Sequence, residues 1–256
     1  MNKTRIYFAS DVHLGMHPKE RSREREKIFT RWLDEIMNDA SEVYLVGDIF
    51  DYWFEYRKVV PRGFTRTLGK ISELTDRGIP VHFFTGNHDV WVFDYLPTET
   101  GVILHREPYI TTIAGKKFLI AHGDGLGPGE GYYKMMKRIF TSKTLQWLYA
   151  RFHPNLTIAF AHRWSKNSRY AKGISVDFLG EDREILIQFA RKKQAEQHFD
   201  YFIFGHRHIS LDFNLDQKTR LIYLGDWIIN FTYAVFDGEQ LELKKFSSPG
   251  QKTGEE

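Results

Sequence analysis

The chain has 256 residues and no cysteine, which excludes thiolate metal sites, disulfides and cysteine nucleophiles. Its length allows one large domain or two small ones, with a sizeable core. The net charge of +3 conceals an asymmetry. From Gly131 to Val176 there is no Asp or Glu, but there are nine basic residues: Lys134, Lys137, Arg138, Lys143, Arg151, Arg163, Lys166, Arg169 and Lys172. Taking those nine from +3 leaves the rest of the chain at −6, so the basic character belongs to one segment and points to an anionic partner. No apolar run approaches the roughly 20 residues of a membrane span. Met1-Asn2-Lys3-Thr4-Arg5 lacks the apolar stretch of a secretory leader. A cytoplasmic location is therefore expected.

In chain order, Ile6-Tyr7-Phe8-Ala9 reads as a strand, and Ile28, Trp32, Leu33 and Ile36 then recur at helical spacing. Val43–Val46 is a second strand. A helix is expected from Phe64 to Asp76, closing at Arg77-Gly78 with Pro80 just beyond. With Val81–Phe84 as a third strand, the βαβαβ order implies a parallel sheet with right-handed crossovers. From Gly101 the pattern changes: Tyr109–Ile113 and Lys117–Ala121, joined at Ala114-Gly115, read as a hairpin. Residues 125–131 (Gly-Leu-Gly-Pro-Gly-Glu-Gly) mark a hinge or loop. The basic, aromatic-rich stretch that follows is expected to form two or three helices, an inserted cap over 129–173 on a core made of 1–128 and 174–256. A charged helix is expected over Leu179–Gln197, with Ile185, Leu186 and Phe189 on its apolar face. After the strand Tyr201–Phe204, the segments Leu211–Leu215, Leu221–Leu224, Thr232–Phe236 and Leu241–Lys245 read as antiparallel strands, with a tight turn at Asp237-Gly238. Residues 247–256 are expected to be a disordered tail.

The chemistry lies just after the strands. Five short blocks follow apolar, β-favouring runs: Asp11-Val12-His13, Gly47-Asp48, Gly86-Asn87-His88-Asp89, His122-Gly123-Asp124 and Gly205-His206-Arg207-His208. In open α/β sheets, ligands bind outside the carboxyl ends of the strands. A set of carboxylates, one amide and imidazoles suits Mn²⁺, Fe or Zn²⁺ better than Ca²⁺. A lone His or Asp at a strand end is usually structural, but seven such residues in five blocks point to a site for two metal ions. Paired ions about 3.5–4 Å apart can clamp both the attacking and the leaving oxygen of a phosphoryl displacement. They also lower the pKa of bound water, so no side-chain nucleophile is needed. His88 is a candidate acid or transition-state stabiliser. Asp89 is expected to orient His88. Asp124 is expected to do the same or to act on His122. The histidines at 17, 82, 105, 153, 162 and 198 fit no block and read as surface or core residues.

The series DVH, GD, GNHD, HGD and GHRH resembles the calcineurin-like metallophosphoesterase superfamily over residues 5–226, apart from the insertion. The resemblance implies an α/β class fold, a four-layer α/β/β/α sandwich, here with a helical cap insertion. It implies that Asp11, His13, Asp48 and His208 hold one metal. It implies that Asp48, Asn87, His122 and His206 hold the other, with Asp48 as the bridge.

The longer block Gly47-Asp48-Ile49-Phe50-Asp51-Tyr52-Trp53, the pair Gly131-Tyr132 and the basic insertion are together similar to one subgroup, the UDP-2,3-diacylglucosamine pyrophosphatases of lipid A biosynthesis. That resemblance implies hydrolysis at the α-phosphate to UMP and 2,3-diacylglucosamine 1-phosphate, with Mn²⁺ as the expected metal. The Gly-Asn-Arg-Asp motif often seen in the subgroup reads Gly86-Asn87-His88-Asp89 here, the form common in the wider superfamily. The insertion carries nine aromatic residues (Tyr132, Tyr133, Phe140, Trp147, Tyr149, Phe152, Phe160, Trp164 and Tyr170). Apolar helical faces edged with Lys and Arg suit a lipid substrate and the surface of an anionic membrane. The plainer alternative is aromatics that pack on the core and a solvated basic face. Tyr132, Arg163, Ser165, Lys166, Asn167 and Arg169 are the candidate substrate contacts. The rival on the same scaffold is another phosphodiesterase, a nuclease or a phosphatase. A nucleic-acid partner is disfavoured because the basic run is confined to one insertion. A non-catalytic scaffold is disfavoured because all seven ligand-type residues are present. No obligate protein partner is evident, although the insertion could also bind one.

Overall fold

The computed structural model describes residues 4–129, 131–161, 163 and 177–247. The first part of the chain alternates strand and helix: β1 (Arg5–Ala9), α1 (Lys19–Ile36), β2 (Ala40–Val46), α2 (Thr65–Asp76), β3 (Val81–Phe84), α3 (Tyr95–Thr100) and β4 (Ile103–His105). β1 to β4 pair in parallel, as their crossovers require. β5 (Tyr109–Ile113) and β6 (Lys116–Ala121) form the expected hairpin. Three helical stretches follow: α4 (Gly131–Thr141), α5 (Lys143–Tyr149) and α6 (residues 154–161). The chain then returns through α7 (Ile185–Glu196), β7 (Tyr201–Phe204), β8 (Ser210–Asn214), β9 (Arg220–Leu224), β10 (Thr232–Phe236) and β11 (Leu241–Lys245).

Two sheets result, in the orders β11-β10-β1-β2-β3-β4 and β5-β6-β7-β9-β8. Residues alternate between the faces of each strand. Phe8, Tyr44, Val46 and Phe84 of the first sheet therefore meet Phe118, Ile120, Ile203 and Ile222 of the second in an inter-sheet core. Their neighbours Tyr7, Ala9, Val43, Leu45 and Phe83 point outward, to Phe29, Trp32, Leu33 and Ile36 of α1 and Ile71 and Leu74 of α2. Leu119, Phe202, Phe204 and Leu221 face Leu186, Ile187 and Ala190 of α7. Burial on both faces explains why these strands read as unbroken apolar runs. The architecture is the α/β/β/α sandwich.

Three expectations change. The last helix begins at Ile185, not Leu179. Glu184 is fully buried and accepts from Leu179 N and the Arg207 guanidinium, which holds residues 179–184 in turns. Ile185 is consequently part-exposed, and Leu186, Ile187 and Ala190 form the apolar face, with Phe189 partly buried against it. The final strands are not one antiparallel set, because β9 runs parallel to β7 and antiparallel to β8, while β10 and β11 belong to the other sheet. The short elements α3 and β4 carry no clear periodic signal. The proposed tail from 248 onward lies outside the described residues.

His82 and His105, from adjacent strands, make a 2.8 Å contact between Nδ1 and Nε2. The His82 ring stacks on Tyr44 at 4.3 Å. Burial pushes both imidazoles down to about 4. The unfolded chain binds these protons first, so the pair's stabilisation is full above the ordinary imidazole range and is lost as pH falls towards about 4. A His105→Gln variant is expected to lose less melting temperature than the wild type between neutral pH and about pH 4. Circular-dichroism melts with equal losses would remove the pair as the acid-sensitive element.

Candidate metal centre

All five blocks converge at the carboxyl ends of the strands. Asp11 and His13 follow β1, Asp48 follows β2, Asn87 follows β3, His122 follows β6, and His206 and His208 follow β7. Five of these residues take left-handed backbone: Asp11 (φ 54°), His13 (48°), Asp48 (54°), His206 (67°) and His208 (57°). Non-glycine residues enter this region at a cost, and a cluster of them marks a site whose side chains are aimed by the surrounding structure. The block glycines make room for that. A Cβ at Gly86 would lie 2.2 Å from Asp48 Oδ1, and one at Gly205 would lie 2.6 Å from Asp11 Oδ2.

The side chains meet closely. His13 Nε2 is 3.7 Å from both Asp11 Oδ1 and Asp48 Oδ2, and 3.3 Å from His208 Nε2. His208 Nε2 is 3.5 Å from Asp11 Oδ1. On the other side, His122 Nε2 is 3.3 Å from Asp48 Oδ2. The His206 ring stands edge-on to His122 at 5.2 Å. Asp11 and Asp48 with His122, and Asp11 and His13 with His208, each bring one ligand atom per residue within 4.8 Å of the others. Asp11 Oδ1, Asn87 Oδ1 and His122 Nε2 are buried with no hydrogen-bond partner among the described residues. Buried polar atoms are normally satisfied, so convergent orphans of this chemistry fit a cation.

Outer contacts fix the ligands. His122 Nδ1 donates to Val46 O at 2.9 Å, which turns Nε2 towards Asp48. His13 Nδ1 lies 3.3 Å from Asp51 Oδ1, and His208 Nδ1 lies 3.5 Å from Asp226 Oδ2. These are carboxylate–imidazole pairs of the kind that orient metal ligands. Asp226 Oδ1 in turn accepts from the amides of Ile228, Ile229 and Asn230. The buried Arg25 of α1 donates to Val12 O and His13 O, at 3.0 and 2.8 Å.

Asp89 and Asp124 bond elsewhere than expected. Asp89 does not orient His88. It accepts from the amides of Gly86, Asp48, Ile49 and Phe50, and so clamps two ligand loops together. His88 Nδ1 instead donates to Asp51 O at 2.9 Å, with Asp51 Oδ1 at 3.7 Å. Asp124 accepts from Tyr133 Oη at 2.7 Å and Lys137 Nζ at 2.8 Å, and so ties α4 to the core, while its charge also favours a protonated His122. Of the candidate substrate contacts, Arg163 is exposed and Tyr132 lies in α4. Ser165, Lys166, Asn167 and Arg169 lie outside the described residues.

The segment from α4 to α6 packs on the loops after β2 and β3. Trp91 Nε1 donates to Phe140 O at 2.8 Å, the Tyr52 and Tyr149 hydroxyls are 3.1 Å apart, and Tyr56 bonds Thr157. Phe140 and Tyr149 thus serve packing, as the plainer alternative holds. Trp147, Phe152, Leu156 and Phe160 stay exposed, and Arg151 lies over the Trp147 ring. Among the described residues no helix is long and apolar enough to cross a membrane.

Electrostatics bind the cluster. Burial alone would raise the Asp11 carboxyl, but His208 and His13 hold it at about 2. Burial would likewise raise Asp48, but His122 and His88 hold it well below the usual range. Burial opposes charging His13, yet Asp11 and Asp51 lift it to about 9, and Asp48 lifts His122 further. In the metal-free protein, protons on imidazole balance the carboxylates. Those protons must leave before the ring nitrogens can bind a cation. Mn²⁺ affinity is therefore expected to climb as pH rises towards about 9, with proton release on binding. Calorimetry in two buffers of different ionisation enthalpy reads that release, and its absence at neutral pH would contradict the charge assignment.

A calcineurin-like phosphoesterase family model matches residues 4–210, and the chain belongs to that family. It is a metal-dependent phosphoester hydrolase, and its clustered acidic and histidine residues form a dinuclear divalent-metal site. Among curated relatives, the UDP-2,3-diacylglucosamine hydrolase of Porphyromonas gingivalis (strain ATCC BAA-308 / W83) is 41% identical, over 94% of this chain and 97% of that protein. Proteins of the same name from Histophilus somni (strain 129Pt) and Neisseria meningitidis serogroup C (strain 053442) are 27% and 28% identical, over 89% and 86% of this chain and 93% and 89% of theirs.

Proposed function

We propose that the chain hydrolyses UDP-2,3-diacylglucosamine at the α-phosphate, releasing UMP and 2,3-diacylglucosamine 1-phosphate, a step of lipid A biosynthesis. The carrying observation is near full-length similarity to the Porphyromonas hydrolase on a scaffold where Asp11, His13, Asp48, His122 and His208 cluster at the strand ends. Asp11, His13, Asp48 and His208 would hold one Mn²⁺. Asp48, Asn87, His122 and His206 would hold the other, with Fe or Zn as alternatives by ligand type. When bound, the pair supplies Lewis acidity towards phosphoryl oxygens and lowers the pKa of water.

The protein's own groups do the rest. His88, with Nδ1–H fixed on the Asp51 carbonyl, carries its second proton on Nε2. Burial disfavours that charged form, while Asp48 and Asp51 favour it. This makes His88 the proton carrier of the site, or its donor to developing phosphoryl charge. Asp89 positions the loops of Asp48 and Gly86, and Asp124 positions α4 beside them.

We read α4 to α6 as part of a cap over 129–173 that receives the lipid and rests on an anionic membrane surface. Tyr132, Arg163, Ser165, Lys166, Asn167 and Arg169 are proposed to meet diphosphate or sugar. Exposed Phe152, Leu156 and Phe160 beside Arg151 support the membrane reading. Paired Phe152→Ser and Phe160→Ser substitutions are expected to lower cosedimentation with phosphatidylglycerol vesicles several-fold. Unchanged binding would remove this face from the membrane.

The deciding assay gives purified protein Mn²⁺ and UDP-2,3-diacylglucosamine and follows UMP, with an oligonucleotide and an aryl phosphodiester alongside. Fast UMP release supports the reading. Turnover of the controls alone would keep the phosphoesterase and discard the substrate.

A further inference from the structure

A cavity of about 190 Å³ adjoins the ligand blocks at Gly123 and His206. Its other walls are the aliphatic Leu179, Ile185 and Leu186 and the charged Arg183, Glu184 and Arg207. We infer that this cavity is the subsite for the pyrimidine nucleoside end of the substrate, an inference that rests on the nucleotide-linked reading above.

Four observations support it. The first is continuity: His206 lines the cavity and its ring stands against that of His122, so a group held here lies next to the candidate metal site. The second is chemistry. Leu179, Ile185 and Leu186 are aliphatic, and Leu179 and Ile185 are each 37% exposed among the described residues. Arg183 stands at the rim, its Nε anchored on Leu179 O at 2.9 Å. Aliphatic walls suit the faces of a flat heterocycle, and a guanidinium suits its carbonyl edge or can stack on its ring.

The third is size. At about 190 Å³ the cavity has room for one flat ring. The fourth is rigidity. Arg207 grips Glu184 with Nε and Nη2 at 2.9 and 2.8 Å, and Tyr223 Oη reaches the same carboxylate at 3.3 Å. This buried fork fixes the 179–184 wall against the His206 block. Gly123 packs so tightly that a Cβ there would lie 2.8 Å from Leu186 Cδ1. A preformed wall spares the ordering cost of binding.

The test measures UMP binding by calorimetry to the Mn²⁺-loaded protein, in the wild type, Leu179→Trp and Arg183→Gln. Metal content and melting temperature are checked for each. Leu179→Trp fills the space and is expected to weaken UMP, and to raise KM for UDP-2,3-diacylglucosamine, by at least about ten-fold. Arg183→Gln is expected to weaken UMP several-fold. Equal UMP affinity in all three proteins would overturn the cavity assignment. Failure of the wild type to release UMP from the lipid nucleotide would instead overturn the substrate reading, and is scored separately.

Discussion

Asp48→Ala is expected to lose both metal ions and at least about 10³-fold in phosphodiester turnover. One oxygen of Asp48 serves both halves of the site: Oδ2 lies 3.3 Å from His122 Nε2 and 3.7 Å from His13 Nε2. Those two imidazoles approach from different sheets. Oδ1 is also engaged, accepting from His88 N at 2.8 Å. Removing the carboxylate would delete the proposed bridge and leave facing imidazoles with less charge to balance them. Bound Mn²⁺ per chain and aryl phosphodiester turnover in saturating Mn²⁺ are the readouts. Two ions retained in the variant would show that Asp48 is not the bridge.

His88→Ala should behave differently. It is expected to keep both ions and to lower kcat about 10²-fold or more. The ring stands edge-on to His13 at 4.8 Å, and its Nδ1–H is spent on the Asp51 carbonyl. A ring nitrogen also converges with His13 and Asp51 within 4.8 Å, so metal content decides between a proton-carrying and a ligand role for His88. Its loss also removes a partner of Asp48, since His88 helps to hold that carboxyl in its charged form. Metal loss equal to that of Asp48→Ala would show that His88 holds metal rather than protons.

Much of the fold is legible in the sequence because both faces of its strands are buried. Apolar runs such as Phe118-Leu119-Ile120-Ala121 need no register to be recognised as interior strands. The division into two sheets is less legible: β9 and β10 look alike as strings, yet they lie in different sheets. The overlong last helix has a tertiary cause. Residues 179–184 are largely helix-compatible, but the buried Glu184–Arg207 pair pulls them into turns.

The ligand blocks are legible for a local reason, strand end plus ligand type. Their supports divide by the same criterion. Gly225-Asp226 after β9 repeats the strand-Gly-Asp pattern of Gly47-Asp48, so Asp226 carries the same local signal. Asp51 lies within the distinctive Gly47–Trp53 block, yet only the fold brings it to His13 and His88. Asp89 and Asp124 show the limit of adjacency. Each sits near a histidine in sequence, but the chain turns sharply there and aims the carboxylates at loop amides and at α4. Arg25 gives no sequence signal, because its carbonyl acceptors lie a dozen positions earlier.

The ligands are shared between the sheets, with Asp11, Asp48 and Asn87 on one and His122, His206 and His208 on the other. The seam between those sheets is filled by side chains such as Phe8, Tyr44 and Phe118, and such packing resists separation better than it resists sliding. Cations held across one end of the seam would act as rivets. They would limit the relative shear of the two sheets, and with it the spacing of the residues that flank the site.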